Sequence, residues 1–299
     1  MISVAIATFN GEYFLDEQIQ SILNQTLKPT EIIVCDDCST DNTVEILEKY
    51  NRKGVLTYHI NSTRLGLIDN FKKAVSLCDT ENYISLSDQD DIWLPEKLET
   101  CAAAMMAIEN KQLPCMVYSD LIFVDSKKRI LNKSFRNEAG QDSYTHNLES
   151  LLFNNFVNGC TVLINKPLRI LFDSTLSEIY FNHDGWLALL AFSFGKVKNI
   201  SQPLVFYRKH ESNLSIDINK IPRSRYQNLY DQIMAALKGS DNFLVEQLNA
   251  VNKFYEQFKS GMDTETKLTF ENFLTLNGKS YFVKKIVYKR MINKLKVKR

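Results

Sequence analysis

The chain opens with the stretch Ile2-Ser3-Val4-Ala5-Ile6-Ala7, and the polar residues Thr8-Phe9-Asn10-Gly11 follow it directly. A short apolar run that ends in a polar stretch predicts a buried strand with a loop at its carboxyl end. The next apolar residues have the spacing of one buried helix face: Leu15, Ile19, Ile22 and Leu23. A second apolar run, Ile32–Cys35, then leads into Asp36 and Asp37. This order predicts two parallel strands joined by a right-handed helical crossover.

The same alternation continues to residue 86. Further strands are predicted at Val55–Ile60 and Tyr83–Leu86, with helices after Asn42 and over Phe71–Leu77. Short strands that are buried on both faces and joined by helices indicate an α/β fold, with a mostly parallel central sheet flanked by helices. In such sheets ligands bind beyond the carboxyl ends of the strands. The polar residues that follow each strand therefore form the candidate site.

The rest of the chain falls into two parts. Up to residue 220 the expected elements are a helix over 96–110, strands near 117–124, 157–164 and 203–207, and an apolar helix over 185–194. The polar, aperiodic segment Asn132–His146 predicts a loop. From about Arg223 only helices are predicted, over 226–237, 243–258, 268–276 and 281–299. We therefore expect a sheet-containing catalytic domain at 1–220 and a helical region at 221–299.

Composition excludes several classes of protein. With 44% hydrophobic and 24% charged residues, the 299-residue chain is typical of a folded protein and not of a disordered one. Lys and Arg number 36 against 35 acidic residues, so there is no basic excess of the kind that nucleic-acid binding requires. No signal peptide and no membrane-spanning apolar stretch are evident. Together with six cysteines that form no metal-binding or disulfide pattern beyond one C-x-x-C, this predicts a cytoplasmic location.

Three acidic clusters follow predicted strands or precede a predicted helix: Asp36–Asp41, Ser87–Asp91 and Asn182–Trp186. Carboxylates at one sheet edge would repel each other unless a cation or donor groups offset them. In an extended segment Asp88 and Asp90 point to the same side, so both can face one ligand. Mg²⁺ or Mn²⁺ is typically held by one or two carboxylates together with phosphate oxygens of a substrate. The pattern predicts a divalent-metal site that serves a phosphorylated substrate.

A resemblance to a known family rests on six motifs in chain order. Three lie in the first 93 residues: Thr8-Phe9-Asn10, Asp36-Asp37-Cys38-Ser39-Thr40-Asp41-Asn42-Thr43 and Leu86-Ser87-Asp88-Gln89-Asp90-Asp91-Ile92-Trp93. Three follow later: Asn158-Gly159-Cys160-Thr161, His183-Asp184 and Tyr207-Arg208-Lys209-His210-Glu211-Ser212-Asn213. Over about residues 1–215 the chain resembles family 2 glycosyltransferases. More narrowly, it resembles bacterial transferases of the rhamnosyltransferase type that build O-antigen and capsular polysaccharides.

The resemblance implies a GT-A fold and transfer of a sugar from a UDP- or dTDP-sugar to an acceptor hydroxyl, with inversion and with Mn²⁺ or Mg²⁺. Asp184 matches the catalytic base, and Asp90 matches the metal ligand. The residues matched to the nucleotide are Thr8, Asn10, Asp37, Arg64 and Asp88, where Asp37 would meet the ring N–H of the base and Asp88 the ribose. The residues assigned to the diphosphate are Arg208 and Lys209, while His210 is a candidate for either the diphosphate or the metal. The residues assigned to the acceptor or sugar pocket are Trp93, Asn158, Gly159, His183 and Trp186; core packing is the alternative for Trp93, Asn158 and Gly159.

Two positions depart from the family pattern. His183 stands where members usually have Glu, so a role for this side chain is in doubt, whereas Asp184 is unaffected. Cys38 stands where members usually have Gly, which predicts a somewhat different turn after Asp37.

The last sixteen residues are strongly basic. Between Lys284 and Arg299 there are eight Lys or Arg and no acidic residue. Because the whole chain has a net charge of +1, residues 1–283 have a net charge of −7. Apolar residues from Phe282 to Leu295 fall near one helical face, and a basic amphipathic helix is typical of contact with an anionic membrane surface. That placement, on the inner face of the cell membrane, would suit a glycan acceptor carried on a lipid. The alternative is a helix that packs on the acidic body of the protein.

Other function classes fit less well. A phosphate-signalling receiver domain is far shorter, and a dinucleotide dehydrogenase would need a G-x-G-x-x-G after the first strand. A non-catalytic protein that binds a nucleotide-sugar, or a scaffold in polysaccharide assembly, shares the expected fold and stays open as the alternative. Metal-dependent donor binding with transfer of the sugar would distinguish the enzyme from this alternative.

Overall fold

The computed structural model describes residues 1–175, 182–210 and 243–297. The chain divides into two compact units. Met1–Ala139 and Val157–Arg208 form the first, which we call the sheet unit, and Gly140–Phe156 and Lys209–Arg299 form the second, the helical unit. The domain boundary predicted near residue 220 and the helix predicted over 226–237 lie outside the described residues.

The first half of the sheet unit alternates strands and helices as the sequence predicts. Its elements are β1 (Ile2–Thr8), α1 (Leu15–Leu23), β2 (Glu31–Asp36), α2 (Thr43–Asn51), β3 (Thr57–Ile60), α3 (Leu67–Leu77) and β4 (Tyr83–Ser87). The strands lie in the order β3-β2-β1-β4, and all three pairings are parallel. Thr8 pairs with Asp36 and Ile6 with Ser87, so the carboxyl ends of β1, β2 and β4 meet at one edge. This register brings the loops after these strands together.

Beyond β4 the sheet becomes mixed. The later elements of this unit are β5 (Ile92–Trp93), α4 (Lys97–Ile108), β6 (Cys115–Asp125), β7 (Ile130–Asn132), α5 (Phe135–Glu138), β8 (Val162–Ile164), α7 (Lys166–Asp173), α8 (His183–Phe194) and β9 (Lys196–Lys209). The strand order continues as β8-β6-β9-β5, and β8 pairs antiparallel with both β4 and β6. The predicted α/β class is confirmed; the pairings among β1–β4 are parallel, whereas β8 and β5 pair antiparallel with their neighbours. A strand buried on both faces gives the same apolar run in either direction, so the sequence pattern did not reveal its direction.

The core explains why these segments form strands. Every residue of β1 is buried, and Val4 and Ile6 are completely inaccessible. Helix α1 covers this strand with its buried apolar face, which contains Leu15 and Ile19. Burying one such aliphatic side chain stabilises the fold by about 1.5–3 kcal/mol. The buried core of the sheet unit therefore holds in place the strand ends from which the loops start.

The prediction of a loop over Asn132–His146 is wrong, because this stretch contains short helical elements. Helix α5 begins after Ser134, whose side chain accepts the N–H of Asn137 and donates to Asp120 Oδ2 at 2.5 Å. Arg136 is buried and donates to the carbonyl of Ile200 at 3.0 Å. A four-residue helix is too short to show a helical period, and polar capping replaces the apolar face. Sequence periodicity could not have identified it.

The helical unit consists of α6 (Leu148–Phe153), α9 (Val245–Phe258), α10 (Thr264–Leu274) and α11 (Tyr281–Lys294) in its described part. Helix α6 begins with a capping box between Asn147 and Ser150. Helix α10 begins earlier than predicted because the Asp263 side chain accepts the N–H of Thr266. Aromatic pairs join the helices, such as Phe153 with Phe273 at a ring-centroid distance of 4.9 Å.

Helix α11 is packed on one side and exposed on the other. Tyr281 and Met291 are buried, and Lys284 is buried with its Nζ donating to the carbonyl of Phe243. Lys294 forms an ion pair with Glu149 at 2.9 Å. Along residues 1–175, 182–210 and 243–297, no helix combines the length and apolar character needed to cross a lipid bilayer.

Candidate active site

The loops after β1 and β2 are joined by polar contacts. The Thr8 hydroxyl donates to Asp36 Oδ1 at 2.9 Å, and the Ser39 hydroxyl donates to the same oxygen at 2.5 Å. Asn10 accepts the N–H of Thr40 through its side-chain oxygen at 2.8 Å, while its own N–H donates to Ser39 Oγ. Thr8 and Asn10 thus lie at the predicted edge. Their contact with a nucleotide stays a prediction.

Asp37 is buried, and it organises the start of α3. Its carboxylate accepts the backbone N–H groups of Leu65 at 2.6 Å and Gly66 at 2.8 Å, and the Asn61 side-chain amide at 2.9 Å. A carboxylate offers about four acceptor positions, so three donors leave room for one more. Arg64 is exposed beside this group, with its guanidinium 3.8 Å from the centroid of the Phe9 ring.

The turn after Asp37 keeps a conformation that favours glycine. Cys38 has φ of 63°, which lies in the left-handed region. Its thiol donates to the carbonyl of Asn61 at 3.1 Å. A non-glycine residue therefore occupies a left-handed position here, and the different turn predicted from the family pattern stays a prediction. The neighbouring Cys35 is buried, which raises the pKa of its thiol to about 11, so the C-x-x-C pair lacks a ready thiolate.

Gln89 ties the loop after β4 to the loop after β1. Its side-chain oxygen accepts the N–H of Phe9 at 2.9 Å, and its side-chain amide donates to the carbonyl of Phe9 at 3.1 Å. Gly11 lies so close to this amide that a Cβ at residue 11 would overlap it. The glycine therefore allows the two loops to approach each other.

The carboxylates of Asp88, Asp90, Asp91 and Asp184 form one electrostatic group. Burial, followed by the charges of Asp90 and Asp184, raises the pKa of Asp88 to about 8. Burial and the charges of Asp90 and Asp88 likewise raise the pKa of Asp91 well above its ordinary value. These shifts require the charges to be near one another. Of the three acidic clusters, 87–91 and 182–186 are brought together, because Gly159 donates to Asp184 and the adjacent Cys160 lies within 4.8 Å of ligand atoms of Asp88 and Asp91.

This group can hold a divalent cation. Ligand atoms of Asp88, Asp91 and Cys160 all lie within 4.8 Å of one another. Asp91 is fully buried, and its Oδ2 has no hydrogen-bond partner among the described residues. An unpaired buried carboxylate oxygen is costly unless a cation or donor compensates it. The two carboxylates suit Mg²⁺ or Mn²⁺, whereas the thiol of Cys160 is a ligand for softer metals. Asp90, the predicted metal ligand, does not belong to this group of three, so its role stays a prediction.

Arg208 binds the backbone of the loop that carries Asp90. Its buried guanidinium donates from Nε to the carbonyl of Asp90 at 2.9 Å and forms an ion pair with Glu17. It also donates to the carbonyl of Ser126 at 3.2 Å. The side chain thus fixes the backbone that carries Asp90, and its predicted contact with a diphosphate stays a prediction.

Lys209 ends β9 and His210 follows it; both are half-buried and belong to the helical unit. Their predicted roles at the diphosphate and the metal also stay predictions.

Asp184 lies in the first turn of α8, and two backbone groups hold its carboxylate. The N–H of Gly159 donates to its Oδ2 at 3.2 Å, and the N–H of Gly185 donates to its Oδ1 at 2.6 Å. Such donors and the helix N-terminus favour the ionised form of a carboxylate. Asp184 is half-buried, so it is accessible from the edge of the sheet.

His183 packs beside Asp184 as a neutral ring. Burial lowers the pKa of His183 to about 3, and the imidazole stacks on Phe71 at a centroid distance of 4.1 Å. Neither ring nitrogen has a hydrogen-bond partner among the described residues. A Cβ on Gly159 would overlap the His183 Nε2 atom. Gly159 and the half-buried Asn158 thus adjoin Asp184, as the predicted pocket requires.

The two tryptophans assigned to the acceptor pocket lie in the core. Trp93 is 2% exposed, and the ammonium group of buried Lys97 lies 3.4 Å from its ring centroid. Trp186 is also 2% exposed, and its indole N–H donates to Thr175 Oγ1 at 3.2 Å. Both rings are packed in the core, and the proposed site below contains neither of them.

Sequence reasoning missed several residues that contribute to the candidate site. Asp91 and Cys160 stood inside the quoted motifs without an assigned role, although the position of Asp91 directly after Asp90 was a usable signal. Lys97 is a buried cation that donates to Ser85 Oγ at 2.8 Å, and burial lowers its pKa to about 8. Glu17 holds Arg208 from α1. Nothing in the sequence indicated these last two contacts, and Glu17 and Arg208 are 191 residues apart along the chain.

The chain is similar to proteins of known kind over most of its length. Residues 3–168 match the family described as Glycosyl transferase family 2. Over 240 residues the chain is 27% identical to the dTDP-rhamnosyl transferase RfbG of Shigella flexneri, which covers 75% of this chain and 78% of that protein. Over 233 residues it is 26% identical to the UDP-Glc:alpha-D-GlcNAc-diphosphoundecaprenol beta-1,3-glucosyltransferase WfgD of Escherichia coli, covering 76% and 83%.

A solved structure has the same fold. S. aureus TarS in complex with UDP-GlcNAc aligns with a TM-score of 0.56 at 19% sequence identity, covering 91% of this chain and 79% of that chain. This likeness confirms the predicted GT-A fold class.

Proposed function

Because this chain belongs to glycosyl transferase family 2 and is a glycosyltransferase with a nucleotide-sugar donor, we propose that it transfers the sugar with inversion to a hydroxyl of a glycan acceptor. We further propose that the reaction depends on a divalent cation. The observation that carries the proposal is geometric: ligand atoms of Asp88, Asp91 and Cys160 lie within 4.8 Å of one another, and Gly159, next to Cys160, donates its N–H to Asp184 from a distant segment. Such a group of carboxylates at the carboxyl edge of the sheet suits a cation-bridged diphosphate.

The nucleotide would be recognised beside Asp37. Its carboxylate has three internal donors and keeps an acceptor position for the ring N–H of a uracil or thymine base. Uracil and thymine share this N–H, so the contact supports either a UDP- or a dTDP-sugar. The names of RfbG and WfgD include one donor of each kind. Thr8, Asn10 and Arg64 would complete the surface around the base, and Asp88 would approach the ribose.

The cation would be held by Asp90, with Asp88, Asp91 and Cys160 as neighbouring ligands or supports. When bound, Mn²⁺ or Mg²⁺ would neutralise the charge that develops on the departing diphosphate. Arg208 keeps the Asp90 backbone in place through its Nε–H. We assign Lys209 and His210 to the same end of the donor as a proposal only.

Asp184 would act as the base. Its carboxylate accepts the proton from the acceptor hydroxyl, the acceptor oxygen bonds to the anomeric carbon, and the bond from that carbon to the diphosphate oxygen breaks. Attack from the face opposite the diphosphate inverts the anomeric centre. The Gly159 and Gly185 N–H groups hold the carboxylate toward this reaction in its ionised form. Asn158, Gly159 and His183 would shape the acceptor side.

We propose that the acceptor is lipid-linked and belongs to the synthesis of a bacterial surface polysaccharide. The printed name of WfgD specifies a diphosphoundecaprenol acceptor, which supports this class for a similar chain. Residues 281–299 would contact the anionic inner face of the membrane. Three apolar side chains on the exposed side of α11 support this placement: Phe282, Val283 and Ile286.

A donor panel tests the proposal. Thermal shifts are measured with UDP- and dTDP-sugars, with and without Mn²⁺, and transfer to an acceptor glycan is followed for every donor that binds. We expect one class of nucleotide-sugar to raise the melting temperature of the protein only when the cation is present. We also expect release of the nucleoside diphosphate. Binding without transfer or hydrolysis would favour the alternative, a non-catalytic nucleotide-sugar-binding or scaffold protein.

A further inference from the structure

A cleft of about 430 Å³ lies within the helical unit, between α6, α10 and α11. Its apolar lining consists of Leu152, Phe153, Phe273, Val287 and Met291. Four of these side chains are buried, and Phe153 and Phe273 are in edge-to-face contact. The volume and the mainly apolar lining are typical of pockets that bind small molecules. The cleft therefore has the shape of a ligand site, and no residue assigned to sugar transfer belongs to it.

The rim of the cleft is cationic. Arg290 and Lys294 line it from α11, and Glu149 lines it from α6. Lys294 is paired with Glu149 at 2.9 Å. Arg290 is exposed and has no acidic partner among the residues that the structure describes. One guanidinium thus stands unneutralised at the mouth of an apolar pocket.

The helix that carries Arg290 also presents apolar side chains to its surroundings. Phe282, Val283 and Ile286 are 46%, 41% and 51% exposed. Helix α11 contains five basic residues and no acidic one. Apolar side chains among basic ones are typical of a helix at an anionic lipid surface. At such a surface the ligand within reach of the cleft is a lipid.

We propose that this cleft binds the hydrocarbon chain of a phosphate-bearing lipid whose phosphate group pairs with Arg290. The fork of a guanidinium matches a phosphate in a bidentate manner, and the aromatic and aliphatic lining suits an alkyl or isoprenoid chain. A glycan fits this lining poorly, because only Thr269 and Asn272 add neutral polar groups. The inference rests on the proposed contact of residues 281–299 with a membrane, and it is independent of the transfer chemistry.

The test uses the full chain and dodecyl phosphate below its micelle concentration, with binding measured by calorimetry. Inorganic phosphate and dodecyl maltoside separate the contributions of the head group and the chain. Arg290→Glu is compared with Lys289→Glu, since both positions are exposed on α11 and only Arg290 lines the cleft. Asn272→Trp, which fills the mouth, is compared with Leu268→Trp, an exposed position on the same helix outside the cleft.

We expect saturable binding of dodecyl phosphate, no measurable binding of inorganic phosphate, and weaker binding of dodecyl maltoside. Arg290→Glu should weaken dodecyl phosphate binding by about tenfold or more, the loss typical of a charge-assisted contact, and Lys289→Glu by less than about threefold. Asn272→Trp should abolish binding, whereas Leu268→Trp should leave it unchanged. Equal effects of the two charge reversals, or unchanged binding in Asn272→Trp, would overturn the proposal.

Anionic vesicles separate this site from general membrane attraction. Both charge reversals lower the charge of α11 equally, so both should reduce sedimentation with phosphatidylglycerol vesicles, and Arg290→Glu should do so at least as strongly because these lipids also carry a phosphate. Loss of vesicle binding without any difference in dodecyl phosphate binding would support the membrane contact and refute the cleft. Transfer to a soluble acceptor should persist in all four variants, so failure of the transfer proposal would be visible separately.

Discussion

The backbone N–H of Gly159 donates to the carboxylate of Asp184 at 3.2 Å, which joins two segments that are 25 residues apart in sequence. His183 packs against the same glycine, so the three residues form one unit beside the acidic group. Glycine is required here because any Cβ would meet the imidazole. Because Gly159 has no side chain, it can pack against His183 and donate its N–H to Asp184 at the same time. This arrangement fixes the position of the proposed base.

Substituting Gly159 with Ala should disturb both folding and transfer. The added methyl group overlaps His183 Nε2, and overpacking of this kind typically costs about 1–3 kcal/mol of unfolding free energy. We expect a lower midpoint in chemical denaturation and slower transfer at unchanged donor affinity. The double variant Gly159→Ala/His183→Ala should recover most of the lost stability. If the double variant is no more stable than the single one, the clash is not the cause.

Asp90→Ala should remove the cation dependence of donor binding. Asp90 matches the metal ligand of the family, its charge raises the pKa of Asp88, and its backbone carbonyl is held by Arg208. We expect no stabilisation of the variant by Mn²⁺ with a nucleoside diphosphate, measured by calorimetry or thermal shift. Asp79→Ala, an exposed carboxylate on another loop, is the matched control and should behave as the wild type. Retained Mn²⁺ stimulation in Asp90→Ala would contradict this assignment.

Asp88 should lower the stability of the metal-free protein as the pH rises from about 6 to about 8, below the range in which Lys97 contributes with the opposite sign. The pKa of Asp88 is about 8 in the fold against 3.8 for the ordinary side chain. Between these values the folded protein binds a proton that the unfolded chain has lost, so stability falls as pH increases through this window. Denaturation in EDTA at several pH values measures the slope. Asp88→Asn should make the slope shallower, and an identical slope in both proteins would refute the assignment.

Cys38→Gly should fold at least as well as the wild type, whereas Cys38→Val should be destabilised. Cys38 has φ of 63°, a conformation that costs an L-residue about 1–2 kcal/mol and is worst for β-branched side chains. Glycine relieves that cost but loses more conformational entropy on folding, so the net change is small. Urea denaturation of the two variants measures the difference. Equal stability of Cys38→Gly and Cys38→Val would mean that the left-handed turn carries no cost.

The fold of the first 90 residues was accessible from sequence because its strands and helices alternate with clear periods. Asp37 and Asp88 could be placed at one edge because parallel strands end together. The direction of the strands after β4 was not accessible, since apolar runs such as that of β6 are buried on both faces. The grouping of Gly140–Phe156 with the helical unit was missed for a related reason, because its capped six-residue helix α6 is too short for a period.

The candidate site was only partly accessible from sequence. The Asp88, Asp90 and Asp184 positions could be named from motifs, and the charges of Asp90 and Asp184 both raise the pKa of Asp88, while their roles stay predictions. The motif could not distinguish a residue that meets a ligand from one that supports it. Arg208 has its guanidinium committed to Asp90, Glu17 and Ser126, and Trp93 lies in the core. Those distinctions depend on contacts between segments that are more than 80 residues apart.

The most direct test of the account is single-turnover transfer by Asp184→Asn, with saturating donor and Mn²⁺, beside Asp173→Asn as an exposed control. The amide keeps the shape of the side chain but accepts no proton. We predict wild-type donor affinity and a transfer rate reduced by about 10²–10⁴-fold, the range of a general base, with no reduction in the control. Transfer by Asp184→Asn at the wild-type rate would contradict the central claim that this carboxylate deprotonates the acceptor.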